Sequence, residues 1–225
     1  MHNEKQDLIS VPKNKGYMEQ MLTNSKAKSK LLSVLQAKSV CYGNFVLSSG
    51  ATSTYYVDCK LTTLDPEGAW LVGQVMHSLI QSEASAEGVE INAIGGLTMG
   101  ADPIALATGM YSAGSKDTRP WQTFIVRKTP KSHGQAKLIE GNFKPGDTVV
   151  VLDEVVTRGD STISAIQAIE KEGGKVAFVA VLVDRQEGGR EKIEALGYRV
   201  LAAFLRDDLV QPDSKSHRTS DCVSA

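Results

Sequence analysis

The stretch Val149-Val150-Val151-Leu152-Asp153-Glu154-Val155-Val156-Thr157-Arg158-Gly159-Asp160-Ser161-Thr162-Ile163 changes character twice along its length. Residues 149–152 are a continuous apolar run, as suits a strand buried on both faces of a sheet. The run ends on two adjacent carboxylates, Asp153 and Glu154. A short loop with Thr157, Gly159, Ser161 and Thr162 follows, and Ile163, Ile166 and Ile169 then fall on one face of a helix. Backbone N–H groups and hydroxyls at a helix N-terminus offer donors and a favourable dipole to a phosphate. Paired carboxylates accept hydrogen bonds from sugar hydroxyls. The loop carries neither the G-x-x-x-x-G-K-[ST] pattern nor G-x-G-x-x-G. A helix cap alone would account for Ser161 or Thr162. Two acids closing a buried strand, with Thr, Gly and a Ser-Thr pair in one loop, favour a ligand site.

Outward from this stretch, apolar runs alternate with helical patterns. The spacing predicts helices over 66–80, 102–110, 161–172 and 190–196, the first with Asp65 as N-cap and Pro66 at its first position. Strands are predicted over 91–95, 123–127, 148–153, 176–184 and 199–204. Ahead of them, 30–40 reads as a helix, and 44–47 and 54–58 as short strands around a Ser-Ser-Gly turn. The alternation argues for an α/β fold, a central parallel sheet flanked by helices. Ligands in such folds bind beyond the carboxyl ends of the strands. One domain is expected over 26–210, between a polar N-terminal extension (1–25) and a polar, Ser-rich C-terminal tail (211–225).

Composition narrows the function classes. The 225 residues carry 25 Lys and Arg against 26 Asp and Glu, a net charge of −1, which argues against a dedicated nucleic-acid binder. No run of about 18 apolar residues suggests a membrane span, and the N-terminus has no apolar core of a secretory signal. Cys41, Cys59 and Cys222 are widely spaced, with no C-x-x-C, and read as three free thiols of a reducing compartment rather than a zinc site.

The strand–[DE][DE]–VxT–xGxS/T pattern at 149–161 resembles the phosphoribosyl-pyrophosphate (PRPP) motif of type I phosphoribosyltransferases. The resemblance implies that Asp153 and Glu154 contact the ribose hydroxyls. It implies that Val155, Val156, Thr157, Arg158, Gly159, Asp160 and Ser161 hold the 5-phosphate. Arg158 and Asp160 stand where the pattern often has Thr and Gly, so the Asp160 carboxylate is expected to point away from a phosphate.

A second segment is cationic: Arg127, Lys128, Lys131, His133 and Lys137 precede the first carboxylate, Glu140. Pro130 and Gly134 disfavour a regular helix there. Lys and Arg beside the sheet's carboxyl edge can stabilise the charge of a pyrophosphate leaving group. The pattern VRKxxKxHG…IEG resembles the catalytic loop of the orotate phosphoribosyltransferases. That resemblance implies pyrophosphate contacts from Arg127, Lys131 and His133. Lys131 would be the catalytic general acid or electrostatic stabiliser on a lid. Lys128 would reach the neighbouring subunit's site, which makes the assembly a homodimer with shared active sites.

Three further segments resemble the same family. Residues 47–58 match its N-terminal hood motif, with Lys60 in place of an Arg that other members carry. Residues 95–104 match the loop facing pyrophosphate, with Thr98-Met99 where some members have Tyr-Lys. Arg185, after the strand at 176–184, is implied as an orotate ligand together with Thr157; its plain alternative is an ion pair with Glu187 or Asp184.

The resemblance thus implies a type I phosphoribosyltransferase fold, a central parallel sheet flanked by helices with a small N-terminal hood. It implies transfer of phosphoribose from PRPP to orotate in pyrimidine synthesis, in the cytoplasm. Mg²⁺ would be carried by PRPP without direct side-chain ligation; Asp153 and Glu154 would serve catalysis by offsetting positive charge on the ribose. Two alternatives are a phosphoribosyltransferase for another nucleobase and a non-catalytic PRPP-sensing regulator.

Overall fold

A computed structural model describes residues 15–46, 52–115, 119–129 and 138–210. Residues 1–14 of the expected N-terminal extension (1–25), the C-terminal tail 211–225, the turn at 48–50, Lys131, His133, Lys137 and Cys222 lie outside the described residues.

Two near-continuous apolar strands form the centre of the sheet, β6 (Thr148–Val156) and β7 (Lys175–Asp184). They pair in parallel, and the alternation of their side chains supplies both faces at once. Val150 and Leu152 with Phe178, Ala180 and Leu182 join one buried cluster; Val149 and Val151 with Val179 and Val181 join the other. The remaining strands are β3 (Ala93–Leu97), β4 (Gln122–Val126), β5 (Ile139–Gly141) and β8 (Val200–Leu205), giving the order β5-β4-β3-β6-β7-β8. All neighbours are parallel except β4 and β5.

Helices cover both faces. α1 (Lys15–Lys38), α3 (Pro66–Glu87) and α4 (Ala101–Gly114) contribute to the first cluster; α5 (Asp160–Lys171) and α6 (Gly189–Glu194) contribute to the second. Asp65 caps α3 as expected, accepting from the Gly68 N–H at 2.9 Å, and Gly88 ends it in the left-handed region (φ 65°). The chain leaves β3 towards β4 in one direction and leaves β6 towards β7 in the other, so the β3/β6 boundary is the topological switch point. None of the described helices is long and apolar enough to cross a membrane.

Several local expectations are corrected. The helix expected from residue 30 begins at Lys15, inside the segment read as a polar extension. Its Ala27, Leu31 and Leu35 are buried, with Leu32 and Val34 packed against the same core. The hairpin β1 (Val40–Val46) with β2 (Thr52–Val57) is longer than the two short strands expected. β5, too short to give a periodic signal, was not expected; neither were the single-turn helices α2 (Lys60–Thr63) and α7 (Arg206–Leu209). Cys41 is disulfide-bonded rather than free, whereas Cys59 is a free, buried thiol.

Candidate active site

Strand β6 continues past Asp153 to Val156, because β-branched residues keep pairing with β7. The two acids therefore sit inside the strand, and its alternation sends them to opposite faces. Asp153 follows Val149 and Val151 towards α5. Its Oδ2 accepts from the hydroxyls of Ser161 and Thr162, each at 2.8 Å, and its Oδ1 accepts from the Glu154 N–H at 2.9 Å. Glu154 follows Val150 and Leu152 towards the other face. There its Oε2 meets Lys60 Nζ at 3.3 Å, and Lys60 also reaches Asp58 Oδ1 at 3.2 Å. Glu154 Oε1 is buried and has no hydrogen-bond partner.

Both carboxyls are buried, and burial pushes each above the ordinary carboxylate range. Hydrogen bonds from Thr162 and Ser161 oppose that rise at Asp153; Lys60 opposes it at Glu154. For Lys60, burial alone would lower the ammonium, but Glu154 and Asp58 outweigh it and hold it raised. Gly100, after β3, lies directly over the pair: a Cβ there would stand 3.1 Å from Asp153 Oδ1.

The loop from β6 to α5 closes tightly. Gly159 has φ 78°, and an added Cβ would come within 2.9 Å of the Gly189 carbonyl oxygen. A Cβ on Gly189 would in turn meet the Thr157 carbonyl oxygen at 2.4 Å and the Gly159 nitrogen at 2.7 Å. The two loops thus pack backbone against backbone. Asp160 Oδ1 turns to Lys192 of α6 at 2.5 Å, and Lys192 holds it below the usual carboxylate range. Arg158 is exposed and stands 3.7 Å from Asp160. Val155 and Val156 contribute backbone, with the Val156 carbonyl accepting from the Arg185 N–H at 3.0 Å.

At the ends of β3 and β4 lies a cleft of about 410 Å³ lined by Thr98, Ile125, Arg127, Lys128, Thr129 and Glu140. The antiparallel return of β5 brings Glu140 to Arg127, whose Nη1 lies 3.6 Å from its carboxylate. Arg127 Nε donates to the Thr129 carbonyl at 3.2 Å, and Lys128 is exposed. Arg127 and Lys128 therefore reach one cleft, while Lys131 and His133 lie outside the described residues. Thr98 donates to Asp102 at 3.1 Å.

Arg185 follows β7. Its side chain is only 13% exposed; Nη2 lies 2.8 Å from Glu187 Oε1, and Nε is buried without a partner. The ion pair with Glu187 that sequence reasoning left as the plain alternative is present, but it is a mostly buried guanidinium and not a surface pair. Sequence reasoning missed the Lys60–Glu154 contact, the Thr162–Asp153 bond and the Glu140–Arg127 pair. Only the alternation of β6 past Asp153 could have suggested that Glu154 faces away from its neighbour. Among the described residues, no three His, Cys, Asp or Glu side chains are grouped to hold a metal ion.

No protein-family model matches the chain. An orotate phosphoribosyltransferase of Aquifex aeolicus is 45% identical over 166 residues, covering 74% of this chain and 86% of that protein. Among solved structures, Mycobacterium tuberculosis orotate phosphoribosyltransferase with Fe(III) dicitrate superposes with a TM-score of 0.70 at 35% identity, over 82% of this chain and 99% of the other. The same enzyme in complex with PRPP gives 0.64 at 30% identity, over 85% and 96%. The parallel sheet, its switch point and the acid–hydroxyl loop beside it define a type I phosphoribosyltransferase. Within that class, the chain belongs to the orotate phosphoribosyltransferase family.

Proposed function

We propose that this chain transfers the 5-phosphoribosyl group of PRPP to orotate, giving orotidine 5′-monophosphate and pyrophosphate in de novo pyrimidine (UMP) synthesis. One juxtaposition carries the reading: an acidic, hydroxyl-lined strand end (β6) lies beside a buried guanidinium at the end of the next strand (Arg185 after β7). The first suits a phosphorylated sugar. The second suits a planar carboxylate, which purines lack.

In this reading the 5-phosphate rests on the N–H groups of residues 157–161 at the start of α5. The single hydroxyl proton of Ser161 already goes to Asp153, so backbone groups carry the phosphate. Glu154 Oε1, the unpartnered acceptor, takes a ribose hydroxyl. Asp153 and Glu154 would hold the ribose of a PRPP that carries its own Mg²⁺, without ligating the ion directly. Mg²⁺ supplies charge neutralisation on the pyrophosphate.

Orotate offers an anionic ring nitrogen, so no strong base is required. As the C1′–O bond to pyrophosphate breaks, positive charge grows on the ribose beside two buried carboxylates. Negative charge grows on the leaving group, which Arg127, Lys131 and His133 offset. Lys131 would act from a lid that excludes water, and Lys128 would serve the neighbouring subunit of a homodimer. Support for a dimer comes from apolar side chains left exposed along α3 and α4: Trp70 (65% exposed), Leu106 and Met110 (67%). Trp70 of α3 contacts Tyr111 of α4 edge-on at 5.9 Å. A cytoplasmic location is part of the same proposal.

The test is a spectrophotometric assay of orotate consumption with PRPP and Mg²⁺, beside adenine, hypoxanthine and uracil. Orotate alone should be consumed. Turnover of a purine at a comparable rate would reject the assignment in favour of another nucleobase. No turnover of any base would favour the non-catalytic sensor.

A further inference from the structure

Arg185 presents a two-pronged edge to its surroundings: the N–H groups of Nε and Nη2 point the same way and together match both oxygens of a carboxylate. In this structure one prong is taken and the other is not. Nη2 holds Glu187 Oε1 at 2.8 Å, while Nε is buried and has no partner. The side chain is 13% exposed, so water has little access to the empty prong, whereas Glu187 is 38% exposed and can return to solvent. The turn between them is built to bring the two together. The Asp184 carboxylate accepts from the Gln186 N–H at 2.8 Å. Gln186 is the one non-glycine residue with positive φ (56°) among the described residues. Gly188, also at positive φ (86°), lets the chain turn away after Glu187.

We infer that Glu187 is an internal stand-in for the substrate carboxylate, holding the Arg185 fork in place until an incoming carboxylate displaces it. The inference rests on the reading of Arg185 as the orotate clamp. A carboxylate that spans both prongs makes one bond more than Glu187 does and satisfies the buried Nε. Glu187 rehydrates at small cost. The exchange lowers the net affinity for orotate, because each binding event must first break an ion pair. It also discriminates: a neutral base, such as uracil, has no group able to replace Glu187 on the fork. Glu187 is thus a specificity-determining residue that acts through Arg185.

The experiment measures steady-state kinetics for orotate and PRPP in four proteins: wild type, Glu187→Gln, Arg185→Gln and the double variant. Glu187→Ala is added to separate charge from turn geometry, with thermal midpoints to verify folding. Glu187 keeps part of its carboxylate in solvent (38% exposed), so its hold on Arg185 is modest, and Glu187→Gln and Glu187→Ala should lower the orotate KM about two- to five-fold with the PRPP KM unmoved. In the Arg185→Gln background the Glu187 substitution should have no such effect. If Arg185→Gln raises the orotate KM but the Glu187 variants leave it unchanged or raise it, the stand-in role is overturned and the clamp survives. If Arg185→Gln itself leaves the orotate KM unchanged, the clamp reading falls and the stand-in falls with it.

Discussion

Glu154 illustrates how a side chain proposed to hold the ribose can oppose stability. Its Oε1 is buried without a partner, and burial pushes its carboxyl above the ordinary range despite Lys60. Because the folded pKa exceeds the unfolded one, its favourable contribution is present below the unfolded value and is lost as pH rises through the folded value. Ionising this buried group is therefore a cost to the fold that grows as pH rises. Glu154→Gln is expected to stabilise the fold by about 1 kcal/mol at pH 7.5, with the advantage vanishing in acid, as read by thermal unfolding across pH. The same variant should lose about 100-fold in kcat/KM, because the ribose loses an acceptor and a negative charge. A variant less stable than wild type at neutral pH would contradict this account of the orphaned oxygen. Asp153 differs in that its three listeners, Ser161, Thr162 and the Glu154 N–H, satisfy it.

At the scale of elements, the β6–α5 loop and the β7–α6 loop behave as one unit, since Gly159 and Gly189 touch through backbone atoms. This contact joins the proposed phosphate loop to the segment that follows the proposed orotate clamp. Gly159→Ala would add a Cβ at positive φ and 2.9 Å from a carbonyl oxygen. We expect a loss of about 1–3 kcal/mol in stability and a rise in the PRPP KM that exceeds the rise in the orotate KM. Thermal unfolding and two-substrate kinetics check both. Equal stability with unchanged KM values would show that the loop can relax without cost. The alternation of apolar and helical segments made β6, α5 and β7 legible in the sequence, because a doubly buried strand needs an unbroken apolar run. β5 was not legible: a strand as short as Ile139–Gly141 has no period to read and exists because β4 offers it an edge.

For the whole molecule, the proposed homodimer makes the site a shared object. Exposed Trp70 on α3 and Leu106 and Met110 on α4 leave apolar surface of an isolated chain in water. Met110→Glu is expected to convert the dimer to monomer in sedimentation experiments, since a charge would have to be buried at a contact. If Lys128 acts across the interface, Lys128→Ala and Asp153→Asn proteins, each inactive alone, should recover about a quarter of wild-type turnover after mixing and subunit exchange. No recovery despite proven exchange would place Lys128 in its own subunit's site.

The sequence by itself determined the parallel sheet, the acid pair on its central strand and the loop that follows, because burial periodicity and helix-start chemistry are local properties. It also held the cationic residues and Arg185 in recognisable order. Tertiary structure alone decided which face each acid takes, that Lys60 steadies Glu154, that Glu140 meets Arg127, and that two glycines lock neighbouring loops. Those contacts join residues distant in the chain, or depend on one more pair of strand residues. Only a sheet with its order fixed brings them within hydrogen-bond reach.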